Sequence, residues 1–486
     1  MKDAAAGEGF TVRQPTKGEV PFYKERGKTH PRAVEGPFRK IKWWAGLVLL
    51  AWWHLGPFLR WDRGPGAPDQ AILVDMAGRR AYFFDIEIWP QEVYYITGIL
   101  LLAAVTLFLM SALAGRVWCG FLCWQTVYTD AFIWIEQKIV GDRTHRMELE
   151  RAPWSARKLA KVAAVNAGWL AVAAACGIGF TLWFDDAFAM LRDIFTGEAG
   201  SYTYVFITVI GGFCYLLAGH ARERVCVYMC PYSRFQSAMF DEHSLIVSYE
   251  AWRGEPRGPH KAGESFEGRG HCVDCRMCVT SCPTGVDIRF GNQLACIGCG
   301  LCIDACNAIM DKHGLPHGLI SYDSSANLAA REKGETPPGI RAIRPRTLVY
   351  GALLAIIAAT MLTALLVRSD TEVNVLHERA PLYVEMSDGT IRNGYVYKVL
   401  NMVRRDRVYT LTLDGPKGAV MEVVGQGANL TEADLAVAPD TVGSFRVFVN
   451  APTAAVASHA SPLRFVLTEK GTGRRVVSET MFAGPD

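Results

Sequence analysis

Charge-free apolar stretches, two back-to-back cysteine runs and a terminal stretch of alternating β-forming residues together predict a multi-domain membrane protein. The predicted fold is an α-helical transmembrane bundle of about five spans, an inserted bacterial-type two-4Fe-4S ferredoxin of α+β type, and a C-terminal immunoglobulin-like β-sandwich.

The segments Trp43–Leu59, Val93–Gly115, Val162–Phe184, Ala199–Gly219 and Thr347–Val367 contain no Asp, Glu, Lys or Arg. A helix needs about 20 apolar residues to cross a bilayer core. The first segment is short and carries His54, but Trp43, Trp44, Trp52, Trp53 and Trp61 suit interfacial anchoring. The expected order is an arm (1–40) and a helical region (41–264) with spans near 43–60, 92–115, 161–184 and 200–219. A ferredoxin (265–320), a flexible linker (321–345), a last span (346–368) and the sandwich (375–486) follow. A soluble bundle does not require charge-free runs this long.

Lys and Arg gather on the cytoplasmic side of a membrane. Residues 1–42 hold ten of them, and the loop between the second and third spans adds Lys138, Arg143, Arg146, Arg151, Arg157, Lys158 and Lys161. The next loop has Arg192 against Asp185, Asp186, Asp193 and Glu198. The amino end and the ferredoxin are therefore expected in the cytoplasm and the tail from Arg368 outside. Met1–Phe10 has no apolar run and is not expected to be a cleaved signal. All fourteen cysteines precede the last span, which fits metal ligands in a reducing compartment. A net charge of +3 gives no reason to expect nucleic acid. The lipid bilayer accounts for the juxtamembrane basic residues.

The two cysteine runs carry the chemistry. Cys272, Cys275, Cys278 and Cys282 precede Pro283; Cys296, Cys299, Cys302 and Cys306 precede Asn307. In such pairs three cysteines of one run hold one cubane and the fourth reaches across to the other. Cys272, Cys275, Cys278 and Cys306 are thus assigned to the first 4Fe-4S cluster, and Cys296, Cys299, Cys302 and Cys282 to the second. Zinc sites use two pairs of ligands, not two triplets each trailed by a fourth cysteine. Asn307 in place of a second proline alters a turn without removing a ligand.

A second pattern occurs twice, each time after a helical hairpin. Arg116-Val-Trp-Cys119-Gly-Phe-Leu-Cys123-Trp124 is matched by Arg224-Val-Cys226-Val-Tyr-Met-Cys230-Pro231. Two such repeats related by a pseudo-two-fold axis along the membrane normal would bring Cys119, Cys123, Cys226 and Cys230 together. Soft thiolates in that arrangement suit Cu(I), zinc or an iron–sulfur centre. Arg116, Arg222 and Arg224 would favour deprotonated thiols or anchor the chain at the membrane. Cys176, Cys214, Met110, Met190 and Met229 read as packing residues. His54 as a haem ligand and His220 and His243 as metal ligands are the less favoured readings, and Asp130 and Glu136 are expected on a solvated helix face.

From about Pro381, strands are expected at Leu382–Met386, Tyr395–Leu400, Val408–Leu413, Ala419–Val424, Phe445–Val449, Leu463–Thr468 and Arg475–Phe482. Turn sequences such as Asp414-Gly415-Pro416 separate them. No Cys occurs there, so a docking or stabilising module is expected.

The paired C-x3-C motifs at 119–123 and 226–230, the dicluster run at 272–306, the late span and the terminal sandwich together resemble the cytochrome c oxidase accessory proteins of the CcoG/FixG/RdxA family. The resemblance covers nearly the whole chain from about residue 20. Trp124 departs from the proline often found after the first motif, which Pro231 retains after the second. The resemblance implies an enzyme of the bacterial inner membrane, a cupric reductase turning Cu(II) into Cu(I) for maturation of cbb-type oxidase, with copper near Cys119, Cys123, Cys226 and Cys230. Implied partners are a cytoplasmic electron donor, copper chaperones or an exporter, oxidase assembly factors and a second copy in a homodimer. A quinol-linked polyferredoxin subunit and a non-catalytic assembly scaffold are the alternative functions.

Overall fold

The computed structural model describes residues 28–64, 66–261, 264–456 and 459–485. The rest of the expected arm, residues 1–27, lies outside them. The chain forms two compact units, divided at Met361 and Leu362.

In the first unit α1 (Pro37–Leu55) starts at a proline and ends in the tight turn Gly56–Phe58. Its first amides have no cap from their own segment; Asp304 accepts from the N–H groups of Phe38 (3.3 Å) and Arg39 (2.8 Å). A three-stranded antiparallel sheet follows, β1 (Ile72–Asp75), β2 (Arg80–Phe83) and β3 (Ile86–Ile88). Then come α2 (Tyr94–Ala114), α3 (Trp124–Ile139), α4 (Arg143–Arg151), α5 (Ala156–Thr181), α6 (Ala187–Thr196) and α7 (Ser201–Cys214), which continues as a wider π-helix through Ala221. After α8 (Pro231–Met239), β4 (Ile246–Tyr249) pairs antiparallel with β5 (Ile320–Asp323). Between these strands lie α9 (Ala251–Gly254), α10 (Met277–Thr280) and α11 (Leu301–His313); α12 (Ser325–Glu332) and α13 (Pro345–Leu366) follow.

Among the described residues four helices are long and apolar enough to cross a membrane: 90–114, 156–181, 201–221 and 345–366. The expected first span is not one of them. Arg39, Lys40 and Lys42 lie inside α1, and Gly56-Pro57 stops it, so its apolar part is short. It still runs from Asp304 at the ferredoxin to the turn after α5, where Trp183 Nε1–H donates to the Trp53 carbonyl at 3.3 Å. Its 19 residues cover about 28 Å. The bundle core joins α3, α5 and the end of the α7 segment, with Phe132 stacked on Trp169 at 5.4 Å and Ala173, Cys176 and Ala218 buried around them. A Cβ on Gly211 would lie 2.8 Å from the Ala173 carbonyl oxygen, so small residues permit this close approach.

The expected linker, 321–345, is instead built into the ferredoxin unit. It contains the end of β5 and all of α12, and Arg331 pairs with Glu250 and Asp323 at 2.7 Å each.

The second unit is a sandwich of two antiparallel sheets. One orders β11 (Gly427–Leu430), β10 (Val420–Val423), β13 (Thr441–Pro452), β8 (Thr390–Asn401) and β6 (Thr371–His377), with the short β7 (Val384–Glu385) also on β8. The other orders β12 (Glu432–Val437), β9 (Arg407–Asp414), β14 (Ala460–Glu469) and β15 (Arg475–Ala483). Tyr395, Tyr397, Leu411, Val447, Phe465 and Phe482 fill the space between them. β6, β11 and β12 are additional to the strands expected from sequence, and the unit begins before Pro381.

Candidate functional site

Two cavities in the first unit gather the eight cysteines of the ferredoxin runs. Cys272, Cys275, Cys278 and Cys306 line one, and Cys282, Cys296, Cys299 and Cys302 line the other, which Cys278 also reaches. The fourth cysteine of each run therefore lies with the other run's triplet. Left-handed backbone at Asp274, Arg276, Gly298 and Gly300 curls each loop around its cavity. Main-chain N–H groups turn toward sulfur: Val286 donates to Cys282 Sγ at 3.3 Å and Gly298 to Cys296 Sγ at 3.5 Å. Such bonds tune the potential of a bound cluster.

Burial pushes the Cys278, Cys296 and Cys306 thiols up to about 12; neighbouring sulfurs add to it at Cys296 and Cys306, and at Cys278 Arg289 opposes it while Asp287 adds to it. A group of buried thiolates is therefore unfavourable until cationic iron replaces the protons. Four sulfurs around each cavity and the inward amides fit two cubanes.

The paired thiol motifs are superposable turn by turn. Trp118–Leu122 and Val225–Met229 are each one π-helical turn. In each, the N–H of the closing cysteine donates back to the turn's first carbonyl at 2.8 Å, Cys123 to Trp118 and Cys230 to Val225. Both cysteines are then extended and start a helix, α3 or α8. Four residues before the first cysteine of each motif, the backbone takes the same unusual conformation, φ 59° and ψ −121° at Gly115, φ 45° and ψ −117° at Arg222.

Both motifs are brought against the second ferredoxin cavity. Cys119 and Cys226 pack on the cluster formed by Ile297, Cys299 and Leu301. A Cβ on Gly120 would lie 2.7 Å from the Gly298 carbonyl oxygen and 2.9 Å from Cys299 Cα, so the first thiol loop touches the cavity loop backbone to backbone. Arg116 fastens three pieces: its guanidinium donates to the carbonyls of Leu294, Cys296 (2.9 Å) and Ser233 (2.6 Å). Cys119 Sγ lies 3.4 Å from Gln236 Oε1.

Burial pushes Cys119 up to about 11 and Cys226 up to about 12, with the facing thiols adding to it. The expected deprotonating effect of the arginines is outweighed. Arg116 opposes the rise without reversing it, and Arg224 is exposed. Arg222 is committed elsewhere, to Glu136 at 2.6 Å.

Asp130 and Glu136 are not on a solvated face. Asp130 is buried between Arg39 (2.8 Å) and Lys42 (3.4 Å), and Glu136 between Arg222, Arg146 (3.2 Å) and Lys28 (3.3 Å). His220 packs edge-on to Trp169 and Tyr215, and His54 Nδ1 bonds the Leu50 carbonyl at 2.8 Å. Sequence reasoning missed Gln236 and the clamping role of Arg116. Gln236 is a polar residue on an amphipathic helix, and nothing local marks it as buried.

Three sequence families match the chain: a 4Fe-4S dicluster domain at 221–325, a 4Fe-4S binding domain at 96–141, and the IG-like fold at the C-terminal of FixG at 361–485. The chain is 42% identical to nitrogen fixation protein FixG of Rhizobium meliloti over 96% of its own length and 94% of that protein's. It is 41% identical to protein RdxB of Cereibacter sphaeroides (95% and 97% covered) and 42% identical to RdxA of the same organism (89% and 91%). A FixG-related protein from Vibrio parahaemolyticus, of known crystal structure, aligns to 24% of this chain and 96% of its own at 19% identity and a TM-score of 0.21.

Proposed function

We propose that this chain, which belongs to the family of FixG, RdxA and RdxB, is a membrane iron–sulfur electron-transfer protein whose acceptor is Cu(II). The observation that carries the reading is the direct packing of Cys119 and Cys226 on the loop of Cys299, which sets two more soft ligands beside the second cubane site, with Cys123 and Cys230 closing the same two turns. When bound, the cubanes supply one-electron storage at low potential. The chain's own part is to hold them with eight cysteines, of which Cys278 and Cys299 are buried and Cys275 is exposed, to aim N–H groups at the sulfurs, and to press the C-x3-C turns against the second site.

Copper enters this reading as substrate. Each Cu(II) gains one electron and becomes Cu(I), the oxidation state that thiolates favour. A cytoplasmic donor supplies the electron, and a copper chaperone or exporter takes the product toward oxidase assembly. The basic loops support a ferredoxin end on the cytoplasmic side of the inner membrane.

The test is anaerobic stopped-flow of the full chain in detergent, reduced with dithionite, freed of excess reductant and mixed with Cu(II). Cluster absorbance should recover as a Cu(I)-specific chelator colours, one copper per electron. Reoxidation without trapped Cu(I), or no reoxidation, would sink the copper reading.

A further inference from the structure

Four soft thiolates leave copper and iron–sulfur chemistry both open, and the geometry distinguishes them. A single tetrahedral ion with metal–sulfur bonds of about 2.3 Å draws its thiolates to about 3.8 Å of one another. Among the described residues no three Cys, His, Asp or Glu side chains converge tightly enough to hold such an ion. That holds equally for the eight ferredoxin cysteines, which surround cavities instead. In a cubane each thiolate binds a different iron, so its sulfurs stand farther apart than around one ion. The thiol quartet likewise forms no single-ion group, while Cys119 and Cys226 pack on the same Cys299 loop.

A second observation concerns Gln236. Its side chain is completely buried, its Oε1 is 3.4 Å from Cys119 Sγ, and its Nε2 has no hydrogen-bond partner. An orphaned amide N–H in an apolar setting is costly. A 180° flip of the amide, which leaves its shape unchanged, would point N–H at a sulfur that has lost its proton. The third observation is one of ligand number. The 4Fe-4S binding domain matched at 96–141 contains only Cys119 and Cys123, half the ligands a cubane needs. The second repeat brings the missing pair to the same place in the same turn geometry.

We infer that Cys119, Cys123, Cys226 and Cys230 together hold a third, resident 4Fe-4S cluster, shared between the two membrane repeats and seated against the second ferredoxin cluster. Gln236 is its hydrogen-bonding side chain. The inference rests on the iron–sulfur part of the reading above and not on copper reduction: the quartet becomes the last fixed station, and copper meets it as a passing substrate.

The test uses the full chain, purified without oxygen in detergent, with iron, acid-labile sulfide and copper measured per chain and Mössbauer spectra recorded. The expected content is about twelve irons, at four per cubane, falling to about eight in Cys226→Ser/Cys230→Ser with the ferredoxin signals retained. About eight irons in the wild type would overturn the inference, as would about ten, which would indicate a two-iron centre. Stoichiometric copper lost only in the variant would also overturn it while leaving the copper reading standing. Conversely, twelve irons with no Cu(I) formed in stopped-flow would sink the copper reading alone. Should the double variant fold poorly, Gln236→Leu serves instead: iron stays at about twelve, and only the signal absent from the ferredoxin pair changes.

Discussion

Glu136 offers the sharpest check on how the repeats are held. Its carboxylate, 7% exposed, faces the guanidinium groups of Arg222 and Arg146 and the ammonium of Lys28. Burial pushes its pKa up; Arg222, and after it Lys28 and Arg146, overcome this and hold it at about 2 instead of 4.5. At about 1.4 kcal/mol per pH unit, that difference contributes about 3 kcal/mol at neutral pH. The same order follows from breaking a buried ion pair, about 3–5 kcal/mol. Glu136→Gln keeps the shape and leaves three cations without their shared anion.

The assay is tryptophan-fluorescence melting of the full chain in detergent at one fixed scan rate, since unfolding of such a protein is irreversible. A loss of about 3 kcal/mol should lower the midpoint by roughly 3–5 °C. A lowered carboxylate pKa stabilises above 4.5 and loses its effect as pH falls toward about 2. The gap between wild type and variant should therefore stay constant from about pH 8 to about pH 6. Asp193→Asn, which removes an exposed partner of Arg192, is the control and should cost under about 0.5 kcal/mol. If Glu136→Gln melts within about 1 °C of wild type, or the gap opens and closes across neutral pH, the reasoning about this cluster is wrong.

Other expectations follow from the same contacts. Gly120→Ala places a Cβ 2.7 Å from the Gly298 carbonyl and 2.9 Å from Cys299 Cα, so it should cost about 1–3 kcal/mol and shift the paramagnetic resonance of the second cluster more than the first. Cys306→Ser should alter the signal of the Cys272–Cys278 cluster, and Cys282→Ser that of the Cys296–Cys302 cluster; the opposite pattern would refute the crossed ligation. Asp304→Ala removes the acceptor for the first amides of α1 and should cost about 1–2 kcal/mol, with faster hydrogen exchange at Phe38 and Arg39 as the readout.

What the sequence makes legible is what depends on local period and spacing. The spans at 94–114 and 201–221 come within about two residues of the charge-free runs, because length and apolarity suffice for a membrane helix. The cysteine runs show their clusters for the same reason. What stayed hidden depends on partners distant in sequence. α1 is longer than its apolar run because Asp304 caps it from α11, and the start of 321–345 is built in because β4 pairs with β5. Glu136 and Asp130 look solvent-facing on their own helix; their cations come from segments before and after it. β11 buries none of its residues and needs its neighbours in the sheet, whereas β12 alternates Ala433, Leu435 and Val437 inward with Glu432 and Asp434 outward, a short period-two signal that was open to reading.

The departure at Trp124 shows how much of the thiol geometry comes from the fold and not from one residue type. Pro231 fixes the start of α8 by its ring, which presets φ and donates no N–H, both suited to the first helical position. Trp124 has neither property, yet α3 begins at the same place in its repeat, after a cysteine in the same extended conformation. Its indole is held instead by Trp53 of α1 at 4.5 Å and Tyr128 one turn on at 5.1 Å. The second repeat thus encodes the turn locally, while the first obtains it from packing on α1. The inversion recurs nine residues earlier: glycine at 115 accepts the positive φ freely, while at 222 an arginine endures it because Glu136 and the Gly219 carbonyl bind its side chain. Each repeat therefore carries one intrinsically suited residue and one held by its surroundings. Equal thiol placement from unequal local means indicates that the position of all four sulfurs is what the fold preserves.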